Sequence, residues 1–326
     1  MRRDDTVLRV QDLQVRFTTR QGHVTAVDGV DLELGRGEIL GLVGESGCGK
    51  TVTAQAVMGL IGGGPAEDVS GRVLLHGEDL LAKSESEMER LRGSRLAMIF
   101  QDPMTSLNPA HTVGDQVAEV PLVHQGLARR AARARAVEML GTVGIPAPED
   151  RARQYPHEFS GGMRQRALIA MALSCKPDLL MADEPTTALD VTVQAQILDL
   201  LLELRRDFAT AIILITHDLG VVAQTCDRVA VMYAGSIVEQ APVRELFRRP
   251  RHPYTQGLLA SLPVIGDRDR LKPIEGAPPD PTDLPPGCRF RPRCPYAFDE
   301  CWRRPGLERV DRGHEVACWL EQGSHG

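Results

Sequence analysis

The sequence predicts an α/β fold: a parallel sheet covered on both faces, followed by a cysteine-rich extension. Three observations carry that prediction. Short apolar runs of strand length alternate with helical segments, which implies crossover connections and a parallel sheet. One run leads into Gly44-Glu45-Ser46-Gly47-Cys48-Gly49-Lys50-Thr51, which fits G-x-x-x-x-G-K-[ST]. After Arg249 the composition shifts, and Pro278 to Pro295 holds seven prolines, too many for a regular packed element.

The elements follow in order. Val7 to Val15 and Val24 to Leu34 alternate apolar and polar residues, as half-buried antiparallel strands do. Glu38 to Val43 is a buried strand entering the glycine-rich loop, and a helix leaves the loop at Lys50 and runs to about Leu60. Gly71 to Leu75 is a further short strand, and Leu96 to Phe100 a buried one ending at Gln101. From Asp102 to about Phe159 the pattern is helical, clearest over Ala131 to Gly141. This stretch reads as an insertion between core strands. Ser160 opens a helix through Leu173, Leu179 to Ala182 is a strand, Val193 to Arg206 an amphipathic helix and Ala211 to Thr216 another strand. Val229 to Val238 reads as a strand pair turning at Ala234-Gly235.

The loop carries its own chemistry. Glycines let backbone N–H groups turn inward around phosphates, and a helix N-terminus favours an anion. Lys50 supplies a point charge, and the Thr51 hydroxyl is placed for Mg²⁺. Cys48, beside Lys50 and a helix start, is expected to favour the thiolate and to be reactive.

Leu179-Leu180-Met181-Ala182-Asp183-Glu184 delivers two adjacent carboxylates at a strand's C-terminal end, where α/β sheets bind ligands. One can hold Mg²⁺ and the other can orient an attacking water. Phe159-Ser160-Gly161-Gly162-Met163-Arg164-Gln165 makes a second anion site at a helix start. One nucleotide does not need two such sites from one chain, but a head-to-tail pair of chains can sandwich each nucleotide.

Together these motifs resemble the ATP-binding subunits of ABC transporters over about residues 6 to 249. The resemblance implies a phosphate-loop ABC ATPase fold with a RecA-like parallel-sheet core, an antiparallel β subdomain and an α-helical subdomain at about 102–167. It implies a nucleotide-binding set of Gly44, Glu45, Ser46, Gly47, Cys48, Gly49, Lys50, Thr51 and Val52. Gln101 matches the residue that senses Mg²⁺ and couples to the membrane subunit. Asp183 and Glu184 match the Mg²⁺ carboxylate and the catalytic base, so Mg²⁺ falls to Thr51, Gln101 and Asp183. Ser160, Gly161 and Gly162 match the signature that reaches the partner's γ-phosphate. Ala188-Leu189-Asp190 matches the loop at the dimer interface, and His217 the switch histidine on the γ-phosphate. Catalysis thus falls to Glu184, His217, Lys50 and Gln101. Phe17, near the end of the first strand, is the candidate adenine platform, with a core phenylalanine as the alternative.

Phe159 and Met163 depart from the generic signature Leu-Ser-Gly-Gly-Gln. That departure joins three other stretches: Gln101-Asp102-Pro103 with Ser106-Leu107-Asn108-Pro109, Tyr155-Pro156-His157-Glu158, and Arg251-His252-Pro253-Tyr254-Thr255. Together they resemble the peptide-importer ATPases of oligopeptide, dipeptide and nickel uptake. So does the tail Pro286-Gly287-Cys288-Arg289-Phe290 with Cys294-Pro295. The implied organisation is a nucleotide-binding domain at 1–249 and a C-terminal extension at 250–326.

Cys288, Cys294, Cys301 and Cys318 crowd into that extension with spacing C-x5-C-x6-C-x16-C. In a cytosolic chain this suggests a metal centre. Zinc sites usually show C-x2-C knuckles, and none is present. A structural [4Fe–4S] cluster is the first expectation, with zinc and unligated thiols or disulfides as alternatives.

The bulk numbers fit. With 326 residues, 42% hydrophobic and 25% charged, the chain has room for one large globular domain and an extension. A net charge of −6 argues against a general polyanion binder, and no direct nucleic-acid partner is expected. The arginines from Arg129 to Arg135 alternate with alanine as a solvated helix face does. No run approaches the ~18 apolar residues of a membrane span, and no secretory signal is visible. The expected place is the cytoplasmic face of the inner membrane, peripherally. The expected partners are a second ATPase subunit in a heterodimer, two permease subunits and an extracytoplasmic solute-binding protein. Peptide is the expected cargo, with nickel or another small solute as the alternative. A non-transport ABC ATPase would carry two nucleotide domains, coiled coils or zinc insertions, which are lacking here. A non-hydrolysing subunit is opposed by Glu184 and His217.

Overall fold

Short apolar runs dictate the centre of the fold. In the computed structural model, which describes residues 5–20, 22–64, 67–102, 106–187, 189–261 and 274–322, Ile39–Val43, Leu179–Asp183 and Ala211–Ile215 are strands buried at every position. Uniform burial is what parallel strands covered on both faces require. The described strands in chain order are β1 (Thr6–Thr19), β2 (Gly22–Gly35), β3 (Ile39–Val43), β4 (Glu67–Leu75), β5 (Glu78–Asp79) and β6 (Leu96–Ile99). They continue as β7 (Leu179–Asp183), β8 (Ala211–Ile215), β9 (Arg228–Tyr233), β10 (Ser236–Pro242), β11 (Glu308–Asp311) and β12 (His314–Val316). Pro103 and Ala188, which belong to two of the motifs, lie outside the described residues.

The chain divides into two compact units that interleave in sequence. The first comprises 1–8, 34–38 and 75–215; the second comprises 9–33, 39–74 and 216–326.

In the first unit β6, β7 and β8 form a parallel ladder, with Leu96 opposite Leu179 and Leu179 opposite Ala211. The helices Val113–Gln125, Arg129–Thr142 and Gly161–Leu173 pack against one another. Their buried faces come from Val113, Val117, Ala132, Ala136, Met139, Leu140, Ala167 and Ile169. Arg129, Arg130 and Arg133 are exposed, as a solvated face should be, whereas Arg135 is half-buried and reaches the Ser174 carbonyl at the end of Gly161–Leu173. The expected amphipathic helix runs from Val191 to Phe208, buries Ile197, Leu198, Leu200, Leu201 and Leu204, and is capped by the Asp190 side chain.

In the second unit β3 runs parallel to β9, with Leu42 opposite Ala230. Strands β9 and β10 are an antiparallel hairpin. Its turn residues, Ala234 and Gly235, both have positive φ, as the turns that match strand twist demand. Most of β1, β2 and β4 also lies here, in the order β2–β1–β4.

The extension departs from expectation. It does not stand apart as a cysteine-rich module. It contributes β12, antiparallel to β10, and β11, antiparallel to β12. Its Tyr254 and Phe290 are buried together with Val229, Val231, Tyr233 and Ala241 of the strands, and Val316 is buried on β12. Its seven prolines over 278–295 leave little regular structure from which to build a separate core. It shares that of β9 and β10 instead.

A buried carboxylate fastens the seam. Glu239 on β10 is fully buried and accepts from the backbone N–H of Arg251 (2.8 Å) and of His252 (2.9 Å) and from His314 Nε2 (2.7 Å). A charge that deep is tolerable only when so completely paired.

Candidate nucleotide site

The phosphate loop leaves β3 at Gly44 and enters the helix Lys50–Val57. Two glycines are obligatory. A Cβ on Gly44 would stand 2.2 Å from the Met232 carbonyl oxygen, and one on Gly49 would stand 2.4 Å from that of Ala26. Both also have left-handed φ, 155° and 107°. The loop is therefore pressed against its own unit from behind, with Ser46 and Gly47 exposed in front. Lys50 is buried, and its Nζ donates to the carbonyls of Gly44 and Glu45, both at 2.9 Å. Thr51 is exposed at the first helical turn and Val52 is half-buried.

Cys48 corrects the expectation of a reactive thiolate. It is buried, and burial pushes its thiol above the usual range, with Lys50 opposing only in part. Desolvation of the anion outweighs the neighbouring ammonium.

Glu45 is held by the distant C-terminal segment, a role its sequence position did not suggest. Its carboxylate takes a two-pronged ion pair from Arg293, at 2.8 and 3.1 Å. Its N–H donates to the Tyr254 hydroxyl at 2.9 Å. His217, in the same unit, is exposed just after Thr216. Phe17 is half-buried on β1.

In the first unit, Asp183 ends β7 and is buried, and Glu184 follows it in a left-handed backbone with φ 46°. The Glu184 N–H donates to the Ile215 carbonyl at 2.9 Å, which keeps the residue on the strand line. Its Oε2 accepts from Gln101 Nε2 and from Thr187 Oγ1, each at 2.9 Å. The structure thus joins Gln101 to Glu184 directly. Ser160 caps the helix Gly161–Leu173 by accepting from the Met163 N–H at 3.3 Å. Gly162 leaves room for Val193, whose Cγ1 would lie 2.7 Å from an added Cβ. Ser160 and Gly161 are exposed.

The four cysteines of the extension are free thiols, with Cys301 and Cys318 buried. Burial raises the Cys288, Cys294 and Cys318 thiols, Cys318 to about 12, and mutual repulsion adds to it: Cys318 feels Cys288, Cys294 and Cys301. Among the described residues, however, no group of three or more His, Cys, Asp or Glu side chains is placed to hold a metal ion. The metal centre expected there is not preformed, for iron–sulfur or for zinc. The contacts of Glu239 with Arg251, His252 and His314 are a separate fastening of the same segment.

Comparisons with known proteins agree with this geometry. Residues 27–187 match the family model described as ABC transporter. Residues 238–301 match the oligopeptide/dipeptide transporter C-terminal region. The chain is 53% identical to the dipeptide transport ATP-binding protein DppD of Bacillus subtilis, over 97% of this chain and 95% of the relative. It is 50% identical to the oligopeptide transport ATP-binding protein OppD of Escherichia coli, over 97% and 93%. Among solved structures, the ATP-binding cassette MJ0796 in a post-hydrolysis state bound to ADP and Pi superposes with a TM-score of 0.65. At 24% identity, it covers 73% of this chain and 99% of that one. The structure of cbiO1 from Clostridium perfringens gives a TM-score of 0.63 at 28% identity, covering 75% and 92%.

Proposed function

The chain belongs to the ABC transporter family, among the ATP-binding subunits of peptide transporters, and from that premise we propose that it powers import of dipeptides or oligopeptides. It is an ATPase of the ABC type. The observation that carries the reading is the loop: two glycines that admit no side chain, exposed residues between them, and a buried Lys50 whose charge is parked on loop carbonyls. An arriving phosphate offers that ammonium a full negative charge in place of two carbonyl dipoles. The names of the relatives, dipeptide and oligopeptide transport, favour peptide over nickel as cargo.

In this reading Glu184 polarises the attacking water, with Gln101 and Thr187 setting its carboxylate, and His217 contacts the γ-phosphate. Thr51, Gln101 and Asp183 are hard oxygen donors suited to Mg²⁺, which when bound offsets charge on the phosphates. Phe17 stacks the adenine. Ser160, Gly161 and Gly162 serve the nucleotide of a second subunit, so ATP closes a head-to-tail pair and hydrolysis reopens it. The nucleotide-binding domain is 1–249, with its helical subdomain at about 102–167, and the extension is 250–326. A different ATPase subunit, two permease subunits and a solute-binding protein complete the importer. No helix among the described residues is long and apolar enough to cross a membrane. The subunit reaches the membrane peripherally, through the permease on its cytoplasmic face.

The narrower reading of the extension is that Cys288, Cys294, Cys301 and Cys318 close around one [4Fe–4S] cluster. Four cysteines crowded into one disulfide-free segment of the sequence support it. It requires the thiols to draw together from their present positions. The cluster's part would be structural.

The test of the function is MgATP binding and hydrolysis by the purified complex. Lys50→Ala should lose nucleotide affinity by about tenfold or more, since each ~1.4 kcal/mol is a factor of ten. Unchanged affinity would remove the loop from its role.

A further inference from the structure

We infer that the C-terminal extension holds the phosphate loop in its nucleotide-binding shape, with Arg293 as the positioning residue acting through Glu45. This rests on the reading of Gly44 to Thr51 as the ATP loop and adds to it a second, distant determinant of nucleotide affinity.

Glu45 is gripped at every polar group. Its N–H donates to Tyr254 Oη at 2.9 Å, its carbonyl accepts from Lys50 Nζ at 2.9 Å, and its carboxylate is forked by Arg293. Two of those three partners come from beyond residue 250. Arg293 is itself fixed. Its side chain is 5% exposed. Nη1 donates to Glu45 and, at 3.3 Å, to the Tyr233 hydroxyl; Nη2 donates to Glu45 and, at 3.4 Å, to the Ile274 carbonyl; Nε donates to the Glu275 carbonyl at 3.0 Å. A guanidinium has five N–H donors, so every one is used. Surface ion pairs lack such pre-organisation.

Tyr254 is equally committed. It is wholly buried, with ring centroids 4.6 Å from Tyr233 and 5.4 Å from Phe290. His252 caps its helix by accepting from the Tyr254 N–H at 3.0 Å. The Arg251-His252-Pro253-Tyr254-Thr255 stretch, which in the sequence only marked a resemblance, and Arg293, which the sequence did not single out, thereby meet at one loop residue.

The consequence is electrostatic and geometric. A bare carboxylate at the first variable position of a phosphate loop would repel the polyanion that the loop must bind. Arg293 cancels that charge and pins the main chain ahead of the exposed residues Ser46 and Gly47. Lysine could cancel the charge but not supply the fork. Glu184 and Gln101 are not touched by this contact, so loss of Arg293 should weaken binding and spare the bound-state chemistry.

The experiment measures MgATP affinity, KM and kcat for the full chain in its complex with the partner ATPase and permease. Arg293→Gln should raise the dissociation constant and KM about tenfold, equivalent to ~1.4 kcal/mol, with kcat changed by less than about twofold. Arg293→Lys should fall between, with KM raised about fourfold, because it keeps the charge and loses the fork. Glu45→Gln introduced into Arg293→Gln should recover most of the affinity, because the unneutralised charge is gone. A merely structural role would lower the melting temperature while leaving KM of the folded protein unchanged, and the second substitution would rescue nothing. KM within about twofold of the parent in folded Arg293→Gln would overturn the inference. If that variant does not fold, the same criterion applies to Arg293→Lys. Failure of the unsubstituted complex to bind MgATP would bring down the proposed function, and this inference with it. Normal binding there with unresponsive Arg293 variants would sink this inference alone.

Discussion

Glu184 occupies a left-handed backbone conformation that costs a non-glycine residue about 1–3 kcal/mol, with φ 46°. The surroundings impose it: the Ile215 carbonyl holds the N–H while Gln101 and Thr187 hold one carboxylate oxygen. Glu184→Gln preserves size but removes the charge that polarises water. Turnover should fall by about 100-fold or more, with MgATP affinity kept, in single-turnover and equilibrium-binding measurements. Near-normal turnover would strip Glu184 of its assignment. The sequence showed the Asp183-Glu184 pair because strand apolarity and adjacent carboxylates are local signals. The bond from Gln101 was not visible, since 83 residues separate the two. Cys48 misled for a related reason. Its neighbour Lys50 is in the sequence, whereas its burial comes from the fold around it.

Among the elements, the short helix Pro253–Ala260 carries a pH-sensitive cap. Its cap is His252, wholly buried, whose pKa burial lowers to about 4 despite the nearby Glu239 charge. Lowered below the unfolded value of about 6.5, this histidine is neutral when folded, and the unfolded chain binds the extra proton. Its stabilising share is complete above pH 6.5 and declines as pH falls towards 4. Protonation would also fill the Nδ1 lone pair that accepts from Tyr254 and remove the cap. The slope of stability against pH across that window should flatten in His252→Asn, a variant that still caps, followed by urea unfolding at several pH values. An unchanged slope would assign the pH dependence elsewhere.

The strands of the central ladders were legible from their apolar runs and flanking breakers. Strands β11 and β12 were not. Glu308–Asp311 has no apolar run, and His314–Val316 is held by pairing with β10 rather than by its own pattern. The same blindness applies to the four cysteines, whose spacing suggested a metal centre that the described geometry does not preform. Anaerobically purified protein should carry iron and sulfide at about four each per chain if the cluster reading holds. Replacing Cys301 by serine should then abolish both. About one zinc without iron would favour the alternative metal, and metal-free protein with an intact, protease-resistant extension would leave the Glu239 seam, the β10–β12 pairing and the Glu45 contacts as its fastenings.

At the scale of the molecule, sequence order and spatial grouping diverge. Residues 39–74 and 216–326 share one unit, and 75–215 belong to the other. No local pattern announces such interleaving, because it is made by pairings between distant segments. What composition did announce was the shift at Arg249, and the family match to residues 238–301 begins near it. The central claim is that ATP hydrolysed by this chain drives peptide import. Its most direct test is uptake of a labelled oligopeptide by vesicles containing the complete complex, with its solute-binding protein and with ATP on the side of this subunit. Uptake should require ATP, saturate with peptide and vanish in Glu184→Gln. Peptide uptake that proceeds equally without ATP, or undiminished with Glu184→Gln in place, would contradict it.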